Sequence, residues 1–345
     1  MKHIRIVAPD LAIDLGTANT IVARLDKGVV IEEPTVVALN YQRMEILAIG
    51  KEAKELIGKS PDEIVAVRPL EDGVISDFDL TQAMLEYFIH KAVPGISVVA
   101  PRVMISVPSG ATDVENRAIQ DAVLQSGARD VYLVEESLAS AYGAGLIDRS
   151  TRGVMVLNVG AGTTEAAVVS GYGVITSKTL KNGGDNLDRA IREYIREKYD
   201  LVIGENTAEE VKKRIASLND DGELNAMEVG GRDLVTGMPK SIDVYAMDIR
   251  SAILPFIENA VDLVRSVLEK TPPELAADII AKGLILTGGG SQIDGFDRYI
   301  AEQVNVRVRS SKSPLVDTIN GAQILMKNID QWKDKGDKHD SVQEK

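Results

Sequence analysis

The sequence contains no cysteine and only three histidines, His3, His90 and His339. Without thiols the chain forms no disulfide, no thiolate nucleophile and no Cys-ligated metal centre. The three histidines are widely scattered, which argues against a zinc site and against a His-based catalytic triad. The candidate chemistry therefore rests on carboxylates, hydroxyls and backbone amides.

Long apolar runs and an excess of positive charge are also absent. No uninterrupted apolar stretch approaches the roughly 18–20 residues that span a bilayer, and residues 1–9 lack the apolar core of a signal peptide. Lys and Arg number 39 against 52 Asp and Glu, which gives a net charge of −13. We expect a cytoplasmic protein without a nucleic-acid partner, whose membrane contact is peripheral and not mainly electrostatic.

Strand-like runs alternate with helix-like periods along the 345 residues, a pattern typical of an α/β protein with two compact units or one duplicated unit. Residues 11–13 and 20–24 predict a hairpin. Residues 102–107 predict a buried strand, followed by a helix with a capping box at Thr112 and Glu115. A helix of small residues is predicted at 136–145.

One stretch of sequence is echoed later in the chain. DLGTANT (residues 14–20) lies between two apolar runs, and so does NVGAGTT (residues 158–164). The strand that ends at Pro108-Ser109-Gly110 has a counterpart in LILTGGG (residues 284–290). Because the two halves of the sequence contain similar motifs in the same order, we predict a duplicated fold with a cleft between the halves.

The echoed turns are rich in small residues and hydroxyls, which let backbone N–H groups approach a phosphate chain closely. The first turn contains Gly16, Thr17, Ala18 and Asn19, and the second contains Gly160, Ala161, Gly162 and Thr163. Asp14, directly before the first turn, is placed to hold Mg²⁺ through its waters. The alternative is a pair of hairpin turns without a ligand.

A third glycine cluster, Gly288-Gly289-Gly290, follows a buried strand and precedes a helix. This arrangement presents backbone amides to an anion or a nucleoside. It matches neither the Walker A sequence nor G-x-G-x-x-G, which disfavours P-loop and Rossmann chemistry.

Three charged side chains have two interpretations each. Glu136 begins a helix after a buried strand, where a carboxylate orients or deprotonates a water, or else is simply favoured by the helix dipole. Glu209 and Lys212 share one helix face, where they grip a nucleoside or form an ordinary surface ion pair.

Four further segments carry structural expectations. Thr207 and Glu210 predict the start of a helix with a capping box, and residues 243–270 form a long amphipathic pattern that Pro255 kinks or divides. Residues 94–101 predict either an apolar loop between two prolines or a strand entry that packs partly on its own domain, and the charged residues 333–345 predict disorder.

Taken together, these motifs resemble the MreB family of bacterial actin-like proteins, within the superfamily of actin, Hsp70 ATPase domains and sugar kinases. The resemblance is collinear from about residue 10 to about 327. It rests on residues 14–20, 134–141, 158–165 and 286–291, and on two stretches more specific to MreB, GGDNLD (183–188) and GRDLVTGMP (231–239).

The resemblance implies a duplicated actin-like (RNase H-like) α/β ATPase fold with two domains around a nucleotide cleft. Domain I is expected at 1–149 and 313–332, with a small subdomain at about 33–75. Domain II is expected at 150–312, with a small subdomain at about 184–250.

The resemblance also implies an ATP- and Mg²⁺-dependent protein that polymerises with itself at the inner face of the plasma membrane, where it governs cell shape with other cytoskeletal or cell-shape proteins. Glu136 and Thr163 would position the hydrolytic water, and Asp14 and Asn158 would serve the Mg²⁺. The turn residues with Gly184, Asp185, Glu209, Lys212 and Gly288–Gly290 would bind the nucleotide. Ile96, Val98 and Val99 would dip into lipid.

Three positions depart from the family pattern: Asn158 replaces an aspartate, Ala161 a glycine and Ser137 a proline. Asn158 keeps the side-chain shape but lacks the charge that attracts Mg²⁺. We therefore predict that ATP binds and is hydrolysed slowly. Two alternatives remain, a filament protein with little or no ATPase activity and a small-molecule kinase of the same fold, for which no substrate base is visible.

Overall fold

A computed structural model describes residues 4–61, 63–147, 152–171, 173–219 and 225–329. The tail at 333–345, for which disorder is predicted, lies outside the described residues. The strands are β1 (Ile4–Val7), β2 (Leu11–Leu15), β3 (Asn19–Arg24), β4 (Gly28–Pro34), β5 (Val37–Asn40), β6 (Glu45–Ile49), β7 (Ile64–Val67), β8 (Leu70–Glu71), β9 (Val74–Ile75), β10 (Ile96–Val99), β11 (Arg102–Val107), β12 (Asp130–Glu135), β13 (Val154–Val159), β14 (Thr164–Ser170), β15 (Gly173–Leu180), β16 (Leu201–Val202), β17 (Ala226–Asp233), β18 (Pro239–Tyr245), β19 (Leu284–Thr287) and β20 (Val308–Ser310). The helices are α1 (Lys51–Glu55), α2 (Phe78–Ala92), α3 (Asp113–Gln125), α4 (Glu136–Gly143), α5 (Gly184–Tyr199), α6 (Glu205–Ile215), α7 (Ala246–Glu269), α8 (Pro273–Lys282), α9 (Phe296–Val304) and α10 (Asp317–Lys327).

The chain divides into two compact units, Met1–Asp148 with Val316–Lys345, and Arg149–Leu315. Each unit is built on a five-stranded sheet, ordered β12-β11-β2-β3-β4 in the first and β20-β19-β13-β14-β15 in the second. In both sheets the first three strands of this order run parallel and the last three alternate antiparallel. The predicted α/β duplication is therefore confirmed. The assignment of small subdomains at 33–75 and 184–250 stays a prediction.

The central strands of both sheets are buried on both faces, as expected where helices cover a sheet on two sides. In the second unit every residue of β13 and β14 is buried. Helix α7 lies against β14 and β15 and presents Ile249, Ile253, Ile257 and Val264 to the core. In the first unit α10 lies against β2, β11 and α4.

Helices α4 and α10 approach so closely that glycine is required at their contact. A Cβ on Gly143 would overlap the carbonyl group of Asp317, and a Cβ on Gly321 would overlap the carbonyl group of Ala139. Ser140 and Thr318 hydrogen-bond across the same contact at 2.9 Å between their hydroxyl oxygens. The small residues of α4 therefore allow α10 to pack beneath β2 and β11.

We expect Gly321→Ala to lower the free energy of unfolding by about 2–3 kcal/mol, because the methyl group must push the two helix backbones apart. Gly204→Ala is the matched control, since that glycine precedes α6 with a negative φ and has open space around its Cβ position. There we expect a cost of about 0.5–1 kcal/mol, because alanine is a poorer N-cap residue than glycine. Urea unfolding of both variants measures the difference, and equal midpoints would contradict the close helix contact.

The capping box at the start of α3 is confirmed. The Thr112 Oγ1 accepts a hydrogen bond from the Glu115 N–H at 3.3 Å, and the Glu115 carboxylate accepts one from the Thr112 N–H at 2.7 Å. The capping box predicted at Thr207 is wrong, because α6 begins earlier, at Glu205, with Gly204 as its N-cap residue. Thr207 consequently lies inside the first turn of the helix.

At two other places the structure excludes one of the predicted alternatives. Residues 243–245 belong to β18, and α7 then runs unbroken past Pro255 to Glu269, so Pro255 does not divide two helices. Core packing of the apolar face of α7 compensates for the missing proline N–H. Residues 96–99 form strand β10, not a loop, because β1 supplies a parallel hydrogen-bonding partner from far away in the sequence.

No helix in the described ranges combines the length and the apolar character needed to cross a membrane.

Candidate functional site

The two echoed turns have the same geometry in the two units. The Gly16 N–H donates to the Asn19 carbonyl at 3.1 Å, and the Gly160 N–H donates to the Thr163 carbonyl at 2.8 Å. Each turn joins the first two antiparallel strands of its sheet. A Cβ on Gly16 would lie 2.7 Å from the Asn19 carbonyl oxygen, so this tight closure requires glycine.

The first turn is held in place by two threonines. The Thr35 Oγ1 donates to the Gly16 carbonyl at 2.7 Å, and the buried Thr17 Oγ1 accepts from the Gly73 N–H at 3.1 Å. Because Thr17 accepts in this bond, its hydroxyl proton can still be donated to a ligand. The side chain of Asn19 is exposed at the end of the turn.

Asp14 lies on β2 two residues before the first turn. Its Oδ1 accepts a hydrogen bond from the Ser106 Oγ at 2.8 Å. Burial raises the pKa of Asp14 to about 6, and the hydrogen bond from Ser106 opposes this shift. In the parts of the chain that are described, no group of three or more His, Asp or Glu side chains is arranged to hold a metal ion. A Mg²⁺ at Asp14 would thus depend on waters and phosphate oxygens for its other ligands, as Mg²⁺ commonly does.

The third glycine cluster packs against the strand that leads into the second turn. Gly288 has a φ of +83°, and a Cβ there would lie 2.5 Å from the Asn158 Oδ1 and would overlap the Val159 carbonyl oxygen. A Cβ on Gly290 would overlap the Val159 side chain, whereas Gly289 has room for one. Gly288 and Gly290 therefore serve close packing against β13, and buried Asn158 lies beside them.

The start of α5 is bonded to the second turn. The Gly184 N–H donates to the Gly160 carbonyl and the Asp185 N–H donates to the Ala161 carbonyl, both at 2.9 Å. A Cβ on Gly183 would overlap the Ala161 carbonyl. Backbone N–H groups at a helix N-terminus commonly bind anions. In α5 the first N–H groups instead donate hydrogen bonds to the second turn.

Glu209 and Lys212 do not pair with each other. The Lys212 Nζ donates to the Gly184 carbonyl at 2.7 Å and to the Asp188 Oδ2 at 2.8 Å. The Glu209 Oε1 accepts from the Lys213 Nζ at 2.6 Å. Lys212 therefore lies beside the second turn, where Gly184 and Asp188 hold its ammonium. Asp188 is the last residue of the GGDNLD stretch, and the sequence analysis did not predict a role for it.

Glu136 and Thr163 each lie directly beside a strand of the central sheet of their own unit, Glu136 after β12 and Thr163 before β14. Glu136 is half-buried at the first position of α4 and follows β12 directly. The neighbouring Ser137 is buried and lies 2.7 Å from the Ser109 hydroxyl oxygen, at the end of β11. Thr163 is buried and closes the second turn through its carbonyl group.

Strand β10 exposes apolar side chains on one face. Val98 is 75% exposed and Ile96 is 53% exposed, whereas Val99 is half-buried. In the parallel register Val7 lies opposite Val99, which brings Ile6, 78% exposed, to the level of Val98. Ile96 and Val98, two of the three residues predicted to contact lipid, are therefore exposed to solvent, and Ile6 extends the exposed apolar surface.

Known proteins show what this arrangement resembles. Two relatives are the cell shape-determining protein Mbl of Bacillus subtilis, 42% identical over 324 residues (94% of this chain and 97% of the relative), and the cell shape-determining protein MreB of Escherichia coli, 42% identical over 327 residues (93% and 94%).

Solved structures show the same similarity in three dimensions. MreB5 of Spiroplasma citri bound to ADP has a TM-score of 0.89 at 35% identity (93% of this chain, 97% of that chain), and its AMPPNP-bound form has a TM-score of 0.90 at 34% identity (95% and 99%). A MamK double helical filament shares the fold, with a TM-score of 0.79 at 22% identity (92% and 99%).

The repeated sheet order and the repeated turns are thus those of an actin-like fold. A family model described as MreB/Mbl protein matches residues 8–334, in agreement with the two relatives, and the chain belongs to the MreB/Mbl family.

Proposed function

We propose that this chain binds an adenine nucleotide through its two equivalent turns and assembles into filaments that govern cell shape. The observation that carries the proposal is the repeated turn, closed by the same backbone hydrogen bond in both units and lined by small residues. The names of the Mbl and MreB relatives and the ADP- and AMPPNP-bound MreB5 structures support it.

In this proposal the amides and hydroxyls of the turns bind phosphate oxygens, since both turns leave backbone N–H groups beside small side chains. Asp14 and Asn158 lie at the same position of the repeat and are the residues that would hold a Mg²⁺ through its waters. Their donor set, one carboxylate and one amide, suits a hydrated Mg²⁺ bound mainly by phosphates. Mg²⁺, when bound, neutralises charge that develops on the phosphates.

Glu136 and Thr163 orient the water that attacks the terminal phosphorus of ATP. The water proton passes to the Glu136 carboxylate, and the bond from phosphorus to the ADP oxygen breaks. Because Asn158 brings no negative charge to the Mg²⁺ waters, hydrolysis is slow. A filament protein that binds nucleotide and scarcely hydrolyses it is the second candidate, and Asn158 is the observation that favours it.

The nucleoside lies against Glu209, Lys212 and the Gly289 backbone. Gly289 is the member of its cluster that is not tightly packed against β13, so it is open to a ligand. Lys212 supplies a hydrogen-bond donor and Glu209 an acceptor, which together suit ribose hydroxyls and the polar edge of a base.

Sedimentation and electron microscopy with ATP, ADP and AMPPNP, together with phosphate release, test this function. We expect filaments with ATP and with AMPPNP, and slow phosphate release with ATP alone. Filaments without any measurable release would favour the second candidate. No filaments under any nucleotide condition, in a protein shown to be folded, would contradict the proposal.

The exposed face formed by Ile6, Ile96 and Val98 is proposed to contact the inner face of the plasma membrane. Apolar side chains at the surface enter a bilayer interface without needing basic residues, in keeping with the acidic composition of the chain.

We expect Ile96→Glu/Val98→Glu to reduce pelleting with liposomes severalfold, because two charges enter the apolar face. Ile280→Glu is the matched control, since Ile280 is 76% exposed on α8 of the other unit. Pelleting of the double variant equal to that of the wild type would refute a lipid role for this face, and so would an equal loss in the control.

A further inference from the structure

Asp188 is a mostly buried carboxylate on α5 to which the proposed function gives no role. Its Oδ2 lies 2.8 Å from the Lys212 Nζ, and the two side chains are 14% and 13% exposed. Because little solvent reaches such a pair, its electrostatic attraction and its hydrogen bond are stronger than those of an exposed pair.

Asp188 and the start of α5 restrict the direction of the Lys212 ammonium. An ammonium has three N–H donors, and here one goes to the Gly184 carbonyl and another to Asp188. Within the described ranges the third N–H has no protein partner. Lysine has a long flexible stem, so this direction is kept only while both acceptors hold the amine.

The bonds of Asp188 are directed to Lys212 alone. Its Oδ1 is buried and has no hydrogen-bond partner in the described part of the chain. Burial raises the pKa of Asp188, Lys212 lowers it, and the nearby Asp185 and Glu209 carboxylates raise it. Among the described residues, the hydrogen bonds of the Asp188 carboxylate therefore go only to Lys212, which makes Asp188 a residue that holds Lys212.

The held amine is next to the second turn. Gly184, whose carbonyl accepts from Lys212, donates its own N–H to the Gly160 carbonyl at 2.9 Å. Lys212 on α6, Gly184 on α5 and Gly160 in the turn are therefore linked by consecutive hydrogen bonds.

We propose that Asp188 is a positioning residue for nucleotide binding, which fixes the Lys212 ammonium so that its third N–H meets an acceptor of the nucleoside. This inference rests on the proposed function, because it requires Lys212 to contact the nucleotide. It assigns a role to the last residue of the GGDNLD stretch.

The test is the affinity of the full chain for Mg²⁺-ADP, measured at protein concentrations below those that form filaments. We expect Asp188→Asn to weaken binding about tenfold and Lys212→Met to weaken it at least as much. The double variant binds no more weakly than Lys212→Met, because Asp188 acts through Lys212.

Asp233→Asn is the matched control. It also removes one negative charge and one ion pair in the same unit, Asp233–Lys240 at 3.0 Å, and we expect unchanged affinity. Steady-state phosphate release, at a fixed protein concentration, adds a second readout. Asp188→Asn raises the half-saturating ATP concentration and leaves the maximal rate unchanged, whereas a merely structural defect lowers the active fraction and hence the maximal rate.

The outcomes separate the inference from the proposed function. If the wild type does not bind ADP, the proposed function itself fails. If the wild type binds ADP and Lys212→Met binds it equally well, only the nucleotide contact assigned to Lys212 fails. If Lys212→Met is weakened while Asp188→Asn binds normally, or the two losses multiply in the double variant, the positioning role is overturned. Should Asp188→Asn not fold, Asp188→Ser decides, since it also removes the carboxylate that accepts from Lys212. A loss of affinity of about tenfold supports the role, and affinity equal to that of the wild type overturns it.

Discussion

Glu136→Ala is expected to lower the rate of ATP hydrolysis by about 10²–10³-fold, because a positioned general base contributes roughly that factor to a proton transfer. Glu136 occupies the first position of α4 directly after β12, and its carboxylate is half-buried. Phosphate release at saturating ATP measures the loss. Affinity for ADP stays within about twofold of the wild type, since binding of the phosphates rests on the turns.

Glu135→Ala is the control for this prediction. Glu135 is the preceding residue, also half-buried, and it caps α4 through its backbone and not through its side chain. The two substitutions remove the same chemical group from adjacent positions, so only the one that faces the reacting water slows the reaction. If Glu136→Ala hydrolyses ATP at the wild-type rate, Glu136 is merely a first-turn residue favoured by the helix dipole.

Asn158→Asp is expected to raise the rate of hydrolysis about 10–100-fold, the range that a group around a metal commonly contributes. The change keeps the shape of the side chain, which matters because Asn158 is buried beside Gly288. The added charge would polarise the waters of a bound Mg²⁺ more strongly than the amide does. Phosphate release by wild type and variant, side by side, measures the effect.

Without Mg²⁺ and nucleotide the same substitution lowers the stability of the fold, because it buries an additional charge. We expect Asn158→Asp to unfold at a lower temperature than the wild type in EDTA and to regain stability with Mg²⁺-ATP. Asn158→Ala, which lacks both charge and amide, is the control and gains no activity. An unchanged rate in Asn158→Asp would remove the explanation for slow hydrolysis.

The duplication was predictable because its signal is local. DLGTANT and NVGAGTT each contain a turn and the residues that flank it, so the closure of Gly16 on Asn19 and of Gly160 on Thr163 follows from a few neighbouring residues. The family resemblance drawn from these motifs is confirmed by the match over residues 8–334. The roles of individual residues within the turns stay predictions.

Features that depend on distant partners were not predictable. Residues 96–99 read as a loop because nothing near them reveals β1 as a pairing strand. The Lys212–Asp188 pair joins α6 to α5, whereas residue spacing within α6 predicts only partners on the same helix, such as Glu209. The start of α6 differs from the prediction because Gly204 has no side chain that distinguishes an N-cap glycine from a loop glycine, whereas Thr207 and Glu210 have the spacing of a capping box.

The central claim is that the two equivalent turns bind an adenine nucleotide. Isothermal titration calorimetry of the folded full-length chain with Mg²⁺-ADP tests it most directly. We predict saturable binding that weakens when EDTA removes the Mg²⁺ and that GDP reproduces poorly, because the proposed site puts Glu209 and Lys212 against the nucleoside. The absence of any saturable heat with ADP or ATP, in protein whose fold is verified by circular dichroism, would contradict the claim.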